Sequence, residues 1–180
     1  MNSLRPLLKV SSLYGVVAGF LGASLAISLF YLGKHPFLLP VILDFRIILF
    51  GIFIFFALRE FRDFQNGGVL FFWQGFISSY LFVFIAGMVG AVTLGAFAAM
   101  DEKFVSEYIS VLIRQMTDFR EMIVEKVGKE AFEQQLAKLP LTTGWDLAAH
   151  YFLKSLIIGF FLTVLISVVV RRHPVSEERA

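Results

Sequence analysis

The feature that most constrains this chain is a run from about Val69 to Met100 that contains no Asp, Glu, Lys or Arg. Spanning the roughly 30 Å hydrocarbon layer of a bilayer takes a helix of about 20 apolar residues. The run is longer than that, so such a helix must tilt or emerge from the bilayer. Three more segments qualify, at about 10–32, 38–58 and 147–170. Gly33-Lys34-His35-Pro36 closes the first, Arg59-Glu60-Phe61-Arg62-Asp63 follows the second and Arg171-Arg172 stops the fourth. Arg5 and Lys9 ahead of apolar residues imitate a secretory signal, but the apolar stretch is longer than a signal core. The expected fold class is therefore all-α: a single membrane domain over 1–180, built as a four-transmembrane-helix bundle.

Composition agrees. The hydrophobic share is 58% with 22 Phe, an excess one aqueous core of 180 residues could not hide. Sixteen Lys and Arg against 14 Asp and Glu leave no broad basic surface, which argues against nucleic acid as a partner. The absence of cysteine excludes disulfides, Cys lipidation and thiol chemistry.

Residues 101–140 form the one substantial water-facing segment. Phe104, Tyr108, Leu112, Gln115, Met116, Phe119, Ile123 and Val127 recur at helical spacing among charged residues, predicting an amphipathic helix that Gly128 interrupts. A shorter helix over about 129–139 then presents Phe132 and Leu136 before Pro140. The apolar face, with Phe104, Tyr108, Leu112, Met116, Phe119 and Ile123 as candidate partner contacts, can lie on its own bundle, on the lipid surface or on another protein. Lys and Arg near span ends resist translocation. Arg5, Lys9, Arg59, Arg62, Arg171, Arg172 and Arg179 fall on one side, which predicts a multi-pass protein with both termini cytoplasmic and 101–140 outside the cytoplasm.

Small residues recur every fourth position in three spans: Gly15, Gly19 and Ala23; Gly87, Ala91, Gly95 and Ala99; Ser155, Gly159, Thr163 and Ser167. Such stripes let helix backbones approach in lipid, within one chain or between subunits of a homo- or hetero-oligomer. The second span also carries Asp44 and Arg46, each costing about 2.5–3.5 kcal/mol at mid-bilayer. Its 16 Leu, Ile, Val and Phe between 38 and 58 offset this at about 0.3–0.6 kcal/mol each. In the fourth span Asp146, His150 and Lys154 stand at i, i+4 and i+8 on one face. At 1.5 Å per residue, Arg46 and Lys154 lie about equally deep in their spans, which predicts an Asp44–Lys154 pair with Arg46 and His150 nearby. This intramembrane cluster reads either as a structural salt bridge or as an ion or proton path.

Motifs of hydrolases, nucleotide binding and metal centres are missing, and of the three His, at 35, 150 and 173, His35 sits on the outer connection and His173 on the cytoplasmic tail, so these two cannot share a site. The reading is non-enzymatic, with no catalytic residue, metal or other cofactor. Gly67-Gly68 after Asn66 reads as a tight turn.

Around that turn, Arg59-Glu60-Phe61-Arg62-Asp63, Asn66-Gly67-Gly68, Phe72-Trp73 and Gly75-Phe76 resemble the cytoplasmic connection in domain-of-unknown-function family 4199, small four-span bacterial inner-membrane proteins. The resemblance implies that layout, a location in the inner membrane, and a role for Arg62, Asp63 and Gly68 in shaping the inner turn. The family has no assigned activity, so no catalytic residue carries over. Two functions are therefore weighed. One is an accessory, scaffold or assembly subunit of a larger membrane complex; the other is a small ion or solute transporter or channel acting as an oligomer.

Overall fold

The computed structural model describes residues 4–173; Arg179 and the side chain of Arg5 fall outside what is described. Seven α-helices appear among the described residues: α1 Leu4–Tyr31, α2 Phe45–Glu60, α3 Phe72–Met100, α4 Glu102–Asp118, α5 Arg120–Val127, α6 Lys129–Lys138 and α7 Gly144–Val170. Three of them, α1, α3 and α7, are long and apolar enough to cross a membrane.

Local chemistry sets the ends. Gly33, at φ 76°, closes α1: its N–H donates to the Phe30 carbonyl and that of Lys34 to Leu29, satisfying two carbonyls at the helix end. Thr143 caps α7, and Asp146 Oδ2 accepts from both the Thr143 N–H (2.8 Å) and its hydroxyl (2.6 Å). Asp146 is thereby occupied as a cap.

The second apolar segment departs from expectation. Residues 38–58 do not form one helix, because Pro36 and Pro40 interrupt the approach and two short 3₁₀ turns, Pro36–Leu38 and Val41–Leu43, take its place. Asp44 then caps α2, accepting from the Arg46 N–H at 3.1 Å. At 16 residues α2 covers about 24 Å, short of the hydrocarbon thickness, and continues into a π-helical turn, Phe61–Gln65. The helix expected to continue through Val127 is broken at Phe119, ahead of the expected interruption at Gly128. Just before the break the Thr117 hydroxyl bonds back to the Ile113 carbonyl, a contact that bends helices.

The long helices and α2 run alternately up and down. One end, here called the basic end, collects the start of α3 and the close of α2 and α7; the other carries the α4–α6 arm. Helix α3 lies between α1 and α7, and α2 leans on both of these. Ser11 and Ser78 hydroxyls meet at 2.5 Å across α1 and α3, and Tyr14 donates to Glu60 at 2.6 Å across α1 and α2. Two apolar clusters fill the bundle. Leu7, Phe50, Ile54, Phe61, Leu70 and Phe82 occupy the basic half, and Ala23, Phe30, Leu94, Phe104 and Tyr151 the arm half. Outward-facing Leu13, Phe20, Phe161 and Val169 are exposed, as expected of a surface that meets lipid tails.

The small-residue stripes are used inside the chain. A methyl at Gly15 or Gly19 would meet backbone carbonyls of α3 at 3.0 and 2.8 Å, and one at Gly159 would overlap the Val83 side chain. Gly87 faces Phe152 and Ser155, Gly95 lies under Trp145, and Ala23, Ala91, Thr163 and Ser167 are buried. The α3 stripe needs one correction. Ala99 is exposed, and Ala98 takes the close contact, with Gly144, because the helix surface rotates away from α7 at its end.

Gly19→Ala should therefore lower the unfolding midpoint in detergent, at a cost of about 1–3 kcal/mol, since Val89 and the Ala86 carbonyl leave no room. Gly51→Ala, where no atom lies within 4 Å, should be neutral or slightly stabilising. Equal midpoints for the two variants would contradict the close α1–α3 approach.

Candidate functional site

The charged group inside the bundle begins at the first turn of α2. Asp44, 6% exposed, and Arg46, 3% exposed, are two residues apart, and the capping conformation of Asp44 turns its carboxylate back onto the Arg46 side chain. Arg46 Nε donates to Asp44 Oδ1 at 2.8 Å and Nη2 to Oδ2 at 2.6 Å, a two-pronged pair. Lys154 Nζ of α7 stands 3.1 Å from the same Oδ2. The remaining nitrogen, Arg46 Nη1, donates to the Tyr151 carbonyl and to Ser155 Oγ, both at 2.9 Å. The guanidinium also lies 4.4 Å from the centre of the Tyr151 ring.

Sequence reasoning expected an Asp44–Lys154 pair with Arg46 and His150 nearby; the structure holds that pair and adds a closer partner. The principal partner of Asp44 is Arg46, and Lys154 adds a second cation from across the interface. His150 is exposed, contacts Phe37 ring to ring at 5.9 Å and makes no hydrogen bond among the described residues. Tyr151 and Ser155 complete the group. Ser155 was legible only as a small residue in a packing stripe, and Tyr151 carried no signal, because its contribution is a backbone carbonyl and a ring face.

Little space adjoins these charges. The cavity formed by Ala26, Pro36, Phe37, Asp44, Phe45, Arg46 and Tyr151 holds about 10 Å³, about enough for one water. No set of three His, Cys, Asp or Glu among the described residues could hold a metal ion. Chemically, the arrangement neutralises a carboxylate and fastens α2 to α7.

At the basic end the expected inner turn is an interlocked loop. Gly67 and Gly68 adopt φ 60° and 79°, a region side-chain-bearing residues rarely enter, and the Gly68 N–H reaches back to the Arg62 carbonyl at 2.8 Å. Arg62 Nε donates to Asp63 at 2.7 Å while its Nη1 reaches the Val170 carbonyl at the end of α7. Hydrogen bonding to Arg62 holds the Asp63 carboxyl below its usual range, and Asp63 in turn raises the Arg62 guanidinium. Leu70 and Arg172 exchange backbone hydrogen bonds of 2.9 Å in both directions. The turn thus ties the start of α3 to the end of α7, as in a short sheet edge.

At the arm end, His35 sits on the connection after α1, as expected, and is buried there: its Nε2 lies 3.0 Å from the Phe104 carbonyl, and it is ringed by Phe30, Phe37, Phe104 and Tyr108. Burial lowers its pKa, partly opposed by that carbonyl and by Glu107. Of the candidate partner contacts, Phe104 and Tyr108 are consumed by this latch, which holds α4 on its own bundle. Leu112 packs partly against the same cluster, Met116 and Ile123 are half-buried, and Phe119 is exposed.

These features define a class: an all-α protein with membrane-capable helices, fastened internally by a buried ion cluster and capped at one end by a helical arm. The family model described as "Protein of unknown function (DUF4199)" matches residues 13–172, and the chain belongs to that family. Neither a curated protein nor a solved structure matches it.

Asp44→Ala strands Arg46 in the bundle, and an uncompensated buried charge costs about 3–5 kcal/mol. Lys154→Met leaves the Asp44–Arg46 pair intact and should lower the unfolding midpoint far less. A larger loss for Lys154→Met than for Asp44→Ala would show that Arg46 is not the main partner.

Proposed function

We propose that the protein is a non-enzymatic accessory, scaffold or assembly subunit of a larger complex in the bacterial inner membrane. The observation that carries this reading is the sealed ion cluster. Asp44 and Arg46 direct their charges at each other and at α7, beside a cavity of about 10 Å³, which leaves no room for a passing solute. Charges that line a transport route face a cavity or water instead. The arm supports the same reading from outside. Exposed Phe119 at the α4–α5 junction and Met122 and Val127 on α5, with Leu141 after α6, exceed what a short water-facing segment needs for itself.

The complete reading includes a fourth crossing. Helix α2 is antiparallel to α1 and α3 and gains length from the π-helical turn. The exposed apolar residues Val41, Ile42 and Leu43 ahead of it suit the lipid side. Arg59, Arg62, Arg171 and Arg172 gather at the basic end, which we assign to the cytoplasm together with both termini. Alkaline phosphatase fused after residues 38 and 120 should be active, and fused after residues 66 and 175 silent; the reverse pattern at all four overturns the orientation, and the same result at 38 and 66 overturns the fourth crossing.

Function is tested on the purified full-length protein. Blue native electrophoresis of solubilised membranes should place it in a species well above its own mass, and proteoliposomes should show ion leakage no greater than empty vesicles. Leakage above that blank, abolished by Asp44→Asn, would establish the transporter reading instead.

A further inference from the structure

Where α1 and α2 diverge toward the basic end, an open groove of about 590 Å³ lies between Tyr14, Phe56, Arg59, Glu60, Asp63 and Phe64. Its anions are not paired in the way that Asp44 is. Glu60 Oε2 accepts a 2.6 Å hydrogen bond from the Tyr14 hydroxyl, which fixes the carboxylate in place, yet no Lys or Arg among the described residues lies within ion-pair distance of it. Asp63 is already held by Arg62 at 2.7 Å. Arg59 reaches Asp63 only at 3.5 Å, and with its side chain 58% exposed most of its N–H groups remain available. The groove thus offers an aimed anion and an accessible guanidinium side by side, between two exposed phenylalanines, Phe56 and Phe64.

We propose that this groove binds a zwitterionic phospholipid whose headgroup ends in a primary ammonium. Arg59 takes the phosphate, since guanidinium matches its oxygens, and Glu60, steadied by Tyr14, takes the ammonium. Phe56 and Phe64 flank the glycerol and upper acyl chain. Charge complementarity selects this occupant. A purely anionic lipid would set its charge against Glu60, and a trimethylated headgroup has no N–H to donate to it. The groove's depth, at the headgroup level, rests on the reading of α2 as a crossing helix; the phosphatase fusions test that point separately, and the inference is independent of the subunit role.

The test is native mass spectrometry of the full-length protein released from nanodiscs containing equal parts phosphatidylethanolamine, its mono- and dimethyl derivatives, phosphatidylcholine and phosphatidylglycerol. Retained lipid should fall with each added methyl, to about a tenfold preference for phosphatidylethanolamine over phosphatidylcholine, as loss of a charge-assisted hydrogen bond implies. Glu60→Gln should bring that ratio close to one. Equal retention across the methyl series, a preference for phosphatidylglycerol, or an unchanged ratio in Glu60→Gln would each overturn the proposal. Because the methyl series uses the unaltered protein, the outcome stands even where the variant does not fold.

Discussion

Arg46 is the residue around which the arrangement of the bundle turns. A guanidinium this deep in apolar surroundings is tolerable only with its N–H groups satisfied, and this requirement fixes three elements at once. Asp44 must leave the helix and cap it so that the carboxylate can fold back, which sets where α2 begins. The Tyr151 carbonyl and Ser155 hydroxyl must face α2, which sets the rotation of α7. Lys154 then stands close enough to share Asp44 without displacing Arg46. Apolar helices slide past one another at little cost in lipid, where burial does not drive association; a directional polar contact removes that freedom.

The remaining contacts depend on the register so defined. With α7 held in place, its small face lies on α3, where Gly159 accommodates Val83 and Gly87 accommodates Phe152 and Ser155. Helix α3 in turn brings Val89 and Ala86 against Gly19 of α1. Both ends are then fastened by loops: the glycine turn through Arg62, Leu70 and Arg172, and the arm through His35 on the Phe104 carbonyl. The family match, over residues 13–172, covers nearly all of these elements.

The two charged regions differ in a way that bears on function. In the interior, opposite charges meet each other and leave space for about one water. At the basic end, Glu60 is oriented by a tyrosine, with no Lys or Arg among the described residues at ion-pair distance, beside a groove of about 590 Å³.

Hydropathy alone determined the all-α class and the three long helices, because unbroken apolar runs have few other stable forms and their length is set by the bilayer. The glycine turn and the small faces were legible for the same reason: backbone conformation and close approach each demand a residue type. Counting residues from the span ends put Arg46 and Lys154 at one level and so brought Lys154 to Asp44, a contact the structure holds. Only the tertiary structure decided that Arg46 is the chief partner of Asp44, that α2 starts at Phe45 under an Asp44 cap and not near Leu38, that Ala98 replaces Ala99 at the α3–α7 contact, and that Phe104 and Tyr108 are spent on the chain's own bundle. Periodicity reports which face of a helix is apolar or polar. What that face meets, and which carbonyl or ring completes a charged group, depends on neighbours distant in sequence, such as Tyr151 for Arg46 and Tyr14 for Glu60.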